Sequence, residues 1–276
     1  MGISALIGIL VILGGIVFGI YTFIANGNKI SQMRYIAPST IDDIADIVDG
    51  ISEIDSGYRH YVQINGRANC DVKIVAPYSK KEVCYYDNKC YCIREEKNHV
   101  HVQFNQNGRS RQFIMPDVQQ DIVQTELSRS NSTEEFYITD DSSGRKVFVD
   151  VKSFGKNAEF VNVCDRTESR NSSWIAEHCE NFNAIRPSYE NNVRGYKFIE
   201  NIIPVGHPLY ILGELYKCGN NLYVGSCVKN KQLSFISYKS KEDIISDSRA
   251  KRIVGIGIIF FSLVVGTFLI FSGTVD

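Results

Sequence analysis

The chain has no C-x2-C pair, no G-x-S-x-G, no H-E-x-x-H and no glycine-rich phosphate or dinucleotide loop. Their absence removes the signatures of nucleophile-elbow hydrolases, zincin proteases and nucleotide-binding folds. An excess of one charge is also missing, since 30 Lys and Arg stand against 31 Asp and Glu. That balance sets up no field strong enough to hold a nucleic-acid backbone, so no nucleic-acid partner is expected. The sharpest absence is local. Ile3 to Ile24 and Ile253 to Ser272 contain no Asp, Glu, Lys, Arg or His.

At 1.5 Å rise per residue each uncharged run spans roughly 30 Å as a helix, the thickness of a bilayer core. In hydrocarbon every backbone amide needs a partner within its own segment, so both runs are expected to be helices. A cleaved leader would want a basic start and a small-residue cleavage site. The chain opens instead on Met1-Gly2-Ile3-Ser4, and the run ends in Tyr21-Thr22-Phe23-Ile24. The expected fold class is therefore two transmembrane α-helices flanking a mainly antiparallel, β-rich α+β domain. The divisions are 3–24 for the first membrane helix, 35–252 for the domain and 253–272 for the second helix. The polar stretch Gln120 to Glu135 reads as a domain division or a surface insertion at about 120–135.

Basic residues concentrate on the inner flanks: Lys29 and Arg34 at one end, Lys239, Lys241, Arg249, Lys251 and Arg252 at the other. Such residues stay on the cytoplasmic side of a span, which places the middle domain in the cytoplasm and both tails outside. On that side the eight cysteines are expected as thiols. With the opposite topology, disulfides and glycosylation at Asn131 and Asn171 become the expectation.

Within the domain, Thr40 and Asp43 form a capping box ahead of Ile41, Ile44, Val48 and Ile51, which recur on one helical face. After Gly57 the pattern changes to period two. Strands are expected at 58–64, 83–94, 99–104, 136–139, 146–151, 197–203, 209–215 and 222–228. Asn65-Gly66, Gly206 and Gly219-Asn220-Asn221 read as turns between them, and Lys241 to Arg252 as a helical approach to the second span.

Several blocks carry a resemblance: Tyr61 to Gly66, Pro77, Cys84-Tyr85, Asp140, Gly144 and Asp150. A denser block follows in Gly195-Tyr196, Glu200, Pro204, Gly206, Tyr210 and Gly213-Glu214. In this order, between two spans, they resemble the GIDE domain, also called BAM (beside-a-membrane), of mitochondrial outer-membrane E3 ubiquitin ligases. The resemblance implies a membrane-anchored domain that binds a substrate or partner. In those ligases the domain faces the intermembrane space and a RING finger follows the second span. A RING needs eight Cys or His ligands, mostly as C-x2-C pairs. Only four residues follow Ser272, none of them Cys or His, so ubiquitin transfer is not expected of these residues alone.

One constellation suggests metal. If 83–94 and 99–104 form a hairpin over Glu95 to Asn98, Cys90, Cys92, His99 and His101 share a face as a Cys2His2 zinc set. The alternative is an ordinary half-buried sheet face. Cys218 and Cys227 flank a turn and either meet across a hairpin or are small buried side chains. In the first span, Gly15 and Gly19 form a G-x-x-x-G that serves either the second span or a second copy in a homo-oligomer. The expected function is a non-catalytic protein-binding or scaffold module held at the lipid bilayer. The alternatives are a substrate-binding component working with a separate RING protein, and a metal- or thiol-dependent enzyme.

Overall fold

The computed structural model describes residues 3–55, 57–97, 100–106, 109–115, 120–140, 144–179, 182–185, 192–228 and 232–272, with the side chains of 96–121 and 185 outside the description. The chain forms two compact units. One comprises Met1–Ala68, Tyr137–Glu159 and His207–Asp276, and the other Asn69–Phe136 and Phe160–Gly206. Elements are numbered along the whole chain.

In the first unit two long helices, α1 (Ile3–Tyr35) and α6 (Lys241–Ser272), run against each other. Both are long and apolar enough to cross a membrane. Small residues make the approach possible. A Cβ on Gly8 would fall 2.6 Å from the Gly266 carbonyl oxygen, and one on Gly255 would fall 2.7 Å from Thr22 Oγ1. Gly15 and Gly19 lie tighter still, against Ser262 and Ile259 of α6, so the G-x-x-x-G is occupied within the chain. Leu10, Val17, Phe260 and Phe268 are left exposed on the outer faces, as side chains facing lipid would be. Both helices continue past the apolar runs. Ser240 Oγ accepts from Asp243 N–H at 3.1 Å to start α6, and the expected approach and span are one uninterrupted helix.

Helix α2 (Ile41–Ser52) starts at the capping box. Thr40 Oγ1 accepts from Asp43 N–H, and Asp140 Oδ2 accepts from Ile41 N–H at 2.8 Å. Ile41, Ile44 and Val48 are fully buried as their spacing predicts, while Ile51 drifts off that face. The acidic face is paired inside the unit, Asp46 with Arg145 at 2.8 Å and Asp49 with Lys217 at 2.7 Å.

Strands β1 (Arg59–Asn69), β7 (Tyr137–Thr139), β8 (Val147–Val149), β13 (Asn221–Gly225) and β12 (Pro208–Cys218) follow one another in a sheet that closes through a β1–β12 pairing. Closure leaves this ring no unpaired edge. Residues opposite each other share a face. The register Ile64↔Ile211, Leu215↔Val224, Val224↔Val149 and Ile138↔Val147 gathers fully or nearly fully buried aliphatics on one side as the core. The opposite side carries Tyr61, Gln63 and Asn65 across from Glu214, Leu212 and Tyr210, where Met33 of α1 and Ile244 of α6 pack. Two short strands, β14 (Phe235–Ser237) and β9 (Ala158–Glu159), extend the sheet from β12, after the short helix α3 (Val151–Phe154). Most pairings are antiparallel, while β13–β8 and β14–β9 are parallel.

The Asn65-Gly66 turn does not occur. Strand β1 runs straight through it, and Gly66 is required by proximity, since a Cβ there would sit 3.0 Å from the Thr139 carbonyl oxygen.

The second unit is built on β3 (Glu82–Lys97). One edge pairs with β11 (Val193–Pro204), which in turn pairs with β10 (Val161–Ser169). The other edge takes β2 (Ile74–Val75) and then β6 (Gln120–Asn131). The polar stretch 120–135 is mostly β6, which pairs with Asp87 to Lys97 of β3. The expected hairpin from β3 into 99–104 does not form, because β3 is paired on both edges with β11 and β6. Residues 100–106 form β4 (Val100–Gln106), which pairs with β5 (Arg109–Met115). Short helices α4 (Ser173–His178) and α5 (Phe182–Ile185) cover one face of the β3 sheet.

Candidate functional site

Cys90 and Cys92 lie mid-strand in β3, opposite Phe198 and Tyr196 of β11, and all four are fully buried. They share the face the alternation predicted, but Trp174, Ile175 and Phe182 of α4 and α5 fill it. Phe182 meets Tyr196 edge-on at 4.7 Å. The strands flanking Cys90 and Cys92 are β11 and β6, so the pairing that was to bring His99 and His101 alongside is absent. His99 and the His101 side chain themselves lie outside the described residues. Among the described residues no three His, Cys, Asp or Glu converge as a metal site.

Burial governs the sulfur chemistry. It pushes the Cys90 and Cys179 thiols up to about 12 and Cys227 up to about 11, and raises Cys92 and Cys164 as well. Cys84 is raised by burial and by a hydrogen bond with the Cys70 thiol beside it. These sulfurs stay protonated at neutral pH and are poor nucleophiles. Cys218 and Cys227 do not meet. Cys218 is opposite Asn221, whereas Cys227 lies near Glu214, four residues back along β12.

An open cavity of about 430 Å³ lies in the first unit, where Gln63 and Tyr210 of the paired strands β1 and β12 meet the start of α6 at Lys241 and Glu242. Gln63 has no exposed surface; its Oε1 accepts from Lys241 Nζ at 3.2 Å, and its Nε2 has no partner. The Tyr210 hydroxyl is also unpartnered, in a residue only 2 % exposed. Burial, then the neighbouring Tyr61 and Glu242, raise the Tyr210 phenol well above its ordinary value, so it remains a neutral O–H donor. Beside the cavity, His207 packs near Tyr238, with its Nε2 buried and unpartnered; burial lowers its pKa and favours the neutral ring. Tyr210 belongs to a recognised block, but nothing in the sequence distinguished Gln63 from the other polar members of an alternating strand.

The family model described as GIDE, E3 ubiquitin ligase, matches residues 119–270, just over half of the chain. The chain belongs to the GIDE family. No curated protein and no solved structure gives a significant match. The GIDE match runs from β6 to near the end of α6. Of the recognised positions, Tyr61, Gly66, Pro77, Cys84 and Tyr85 fall before it, and the others lie within.

Most GIDE-block residues hold the fold. Glu200, fully buried in β11, accepts the backbone N–H groups of Tyr78 and Ser79 at 2.7 Å each, fixing the turn that follows Pro77. Asp140 caps α2, and Asp150 caps α3 by accepting from Ser153 N–H. Tyr85 packs on Phe136 and Phe160, and Tyr61 donates to the Leu233 carbonyl at 2.5 Å. Glu214 sits 3.8 Å from Arg59 and accepts from Val228 N–H. Gly195 and Gly213 bring strands close, where a Cβ would strike the Glu168 and Gly225 carbonyls. Pro204 closes β11, and Gly206 turns the chain with φ +76° before β12. Gly144 is exposed with open space around it.

Proposed function

We propose that this GIDE protein is a two-pass membrane anchor whose β-rich domain binds a protein partner at the cytoplasmic face, without catalysis of its own. The observation that carries the reading is the paired helix hairpin. Two uncharged runs pack through small residues, and their basic flanks lie on the domain side. Arg252 sits 4.1 Å over Phe23, and Lys29 sits 4.7 Å over Phe235 of the domain. Retention of those cations supports the cytoplasmic side. The protonated, covered thiols support binding over thiol chemistry.

The membrane and catalytic parts of the reading are tested together. Expected are retention in the membrane pellet after alkaline carbonate extraction, and no ubiquitin discharge when the purified chain meets a ubiquitin-charged conjugating enzyme. Release into the supernatant, or discharge by the chain alone, contradicts the reading.

The family description favours a second reading, in which the domain presents substrates to a separate RING protein. Crosslinking in membranes followed by recovery of a RING protein and ubiquitin conjugates supports it; recovery of neither counts against it.

A further inference from the structure

Cations gather at the neck, where the apolar runs of α1 and α6 give way to polar helix. Arg249, Lys251 and Arg252 close the polar part of α6, and Lys29 stands on α1, which packs against it. Lys251 and Lys239 lie within electrostatic reach of Lys29, as do Glu159 and Asp247. Both of those acids are already held by Lys239, at 3.1 and 2.8 Å. Among the described residues, Lys29, Arg249, Lys251 and Arg252 form no ion pair. The neck therefore sets five cations against two acids. Like charges gathered this closely repel, and an anion from outside relieves the repulsion.

Geometry fixes part of this cluster, and depth selects its ligand. The Arg252 guanidinium reaches from α6 to lie 4.1 Å over the Phe23 ring of α1, beside Gly27. A guanidinium seated in this way loses little freedom when it meets an oxyanion, and its fork matches two phosphate oxygens. Lys29 is seated likewise, 4.7 Å over Phe235. At 1.5 Å rise per residue, Arg252, Lys251 and Arg249 lie about 2, 3 and 6 Å beyond the apolar run of α6, and Lys29 about 8 Å beyond that of α1. A headgroup layer is roughly 5–8 Å deep, so all four stand at the level of lipid phosphate. Arg34 and Lys241, about 15 and 18 Å out, stand past it.

We propose that the neck binds the phosphate headgroup of an anionic phospholipid, held by Arg252, Lys29 and Lys251 with Arg249 at the rim. The site rests on the two-pass reading above and names the class of lipid that the anchor selects.

Native mass spectrometry of the full chain in detergent, with dioleoyl phosphatidylglycerol as the probe, tests the proposal. Dioleoyl phosphatidylcholine is the zwitterionic match and inorganic phosphate the free anion. Expected is saturable phosphatidylglycerol binding, at least about tenfold tighter than phosphatidylcholine and undisturbed by phosphate in excess. Lys29→Gln combined with Lys251→Gln is expected to weaken phosphatidylglycerol about thirtyfold, at about fivefold per charge. Arg252→Lys keeps the charge and is expected to retain more binding than Arg252→Gln. Arg34→Gln removes an equal charge past the headgroup layer and is expected to change nothing. Equal binding of the two lipids overturns the proposal, as does displacement of phosphatidylglycerol by phosphate. So does an Arg34→Gln loss as large as that of Lys251→Gln, which would show diffuse attraction without a site. Release on alkaline carbonate extraction removes the two-pass reading itself, whereas a chain that pellets and binds both lipids equally loses only this site.

Discussion

Gln63 and Glu200 are both polar, both fully buried and both placed in the middle of a long strand, yet their surroundings differ completely. Glu200 in the second unit gives each carboxylate oxygen a backbone N–H at 2.7 Å, so its buried charge is spent on fixing a turn. Gln63 in the first unit satisfies only its oxygen, and its buried amide nitrogen has no partner within the fold. The cysteines of the second unit follow Glu200: Cys90 and Cys92 lie under aromatic rings and hold their protons. Burial alone does not mark a site.

The largest effect that separates the two regions concerns those thiols. With Cys90 and Cys179 moved from 9.0 to about 12, their thiolate populations at pH 8 fall by about a thousandfold. Alkylation of Cys90 and Cys179 is expected to be orders of magnitude slower in native than in urea-unfolded protein, while exposed Cys218 reacts in both; equal rates at Cys90 and Cys179 would show the face to be open. The same shift acts on stability. Below pH 9 both states keep the proton, whereas above it the unfolded chain ionises and the fold resists until about pH 12. Stability is therefore expected to fall as pH rises through that window, read as a declining urea midpoint.

Glu200→Ala removes two hydrogen bonds to a charged group and strands two amides, for an expected loss of at least about 3 kcal/mol in denaturant unfolding. A loss under about 1 kcal/mol would remove the contrast with Gln63. Gly15→Leu drives a side chain into Ser262 and is expected to cost about 1–3 kcal/mol through overpacking. Its direct readout is weaker crosslinking between cysteines placed on α1 and α6. Thr40→Ala is expected to cost about 1 kcal/mol at most, because Asp140 still caps Ile41.

What the sequence shows clearly is what local chemistry specifies. Uncharged runs became α1 and α6, and Thr40 with the Ile41, Ile44 and Val48 stripe became α2, because periodicity and capping act within a few residues. Long-range pairing was less legible. The hairpin expected between Cys92 and His101 followed from adjacency in sequence, but β3 takes β11 and β6 as neighbours, and partner choice across such distances leaves no short-range mark. Strand β6 was hidden because it is rich in Gln, Ser, Thr and Glu and has no continuous apolar face. Asn-Gly favours a turn at Gly66, and contact with Thr139 and Ile138 overrides that preference. The unpartnered Gln63 amide was the least legible feature, since it is defined only by what fails to reach it.

The central claim is the anchored hairpin with the domain on the cytoplasmic side, and protease protection in sealed, right-side-out vesicles or cells tests it most directly. With a short tag at each end of the chain, the account predicts that external protease removes both tags and leaves the domain between α1 and α6 intact. Digestion of the domain with survival of both tags would reverse the topology, and removal of one tag alone would contradict the two-pass hairpin.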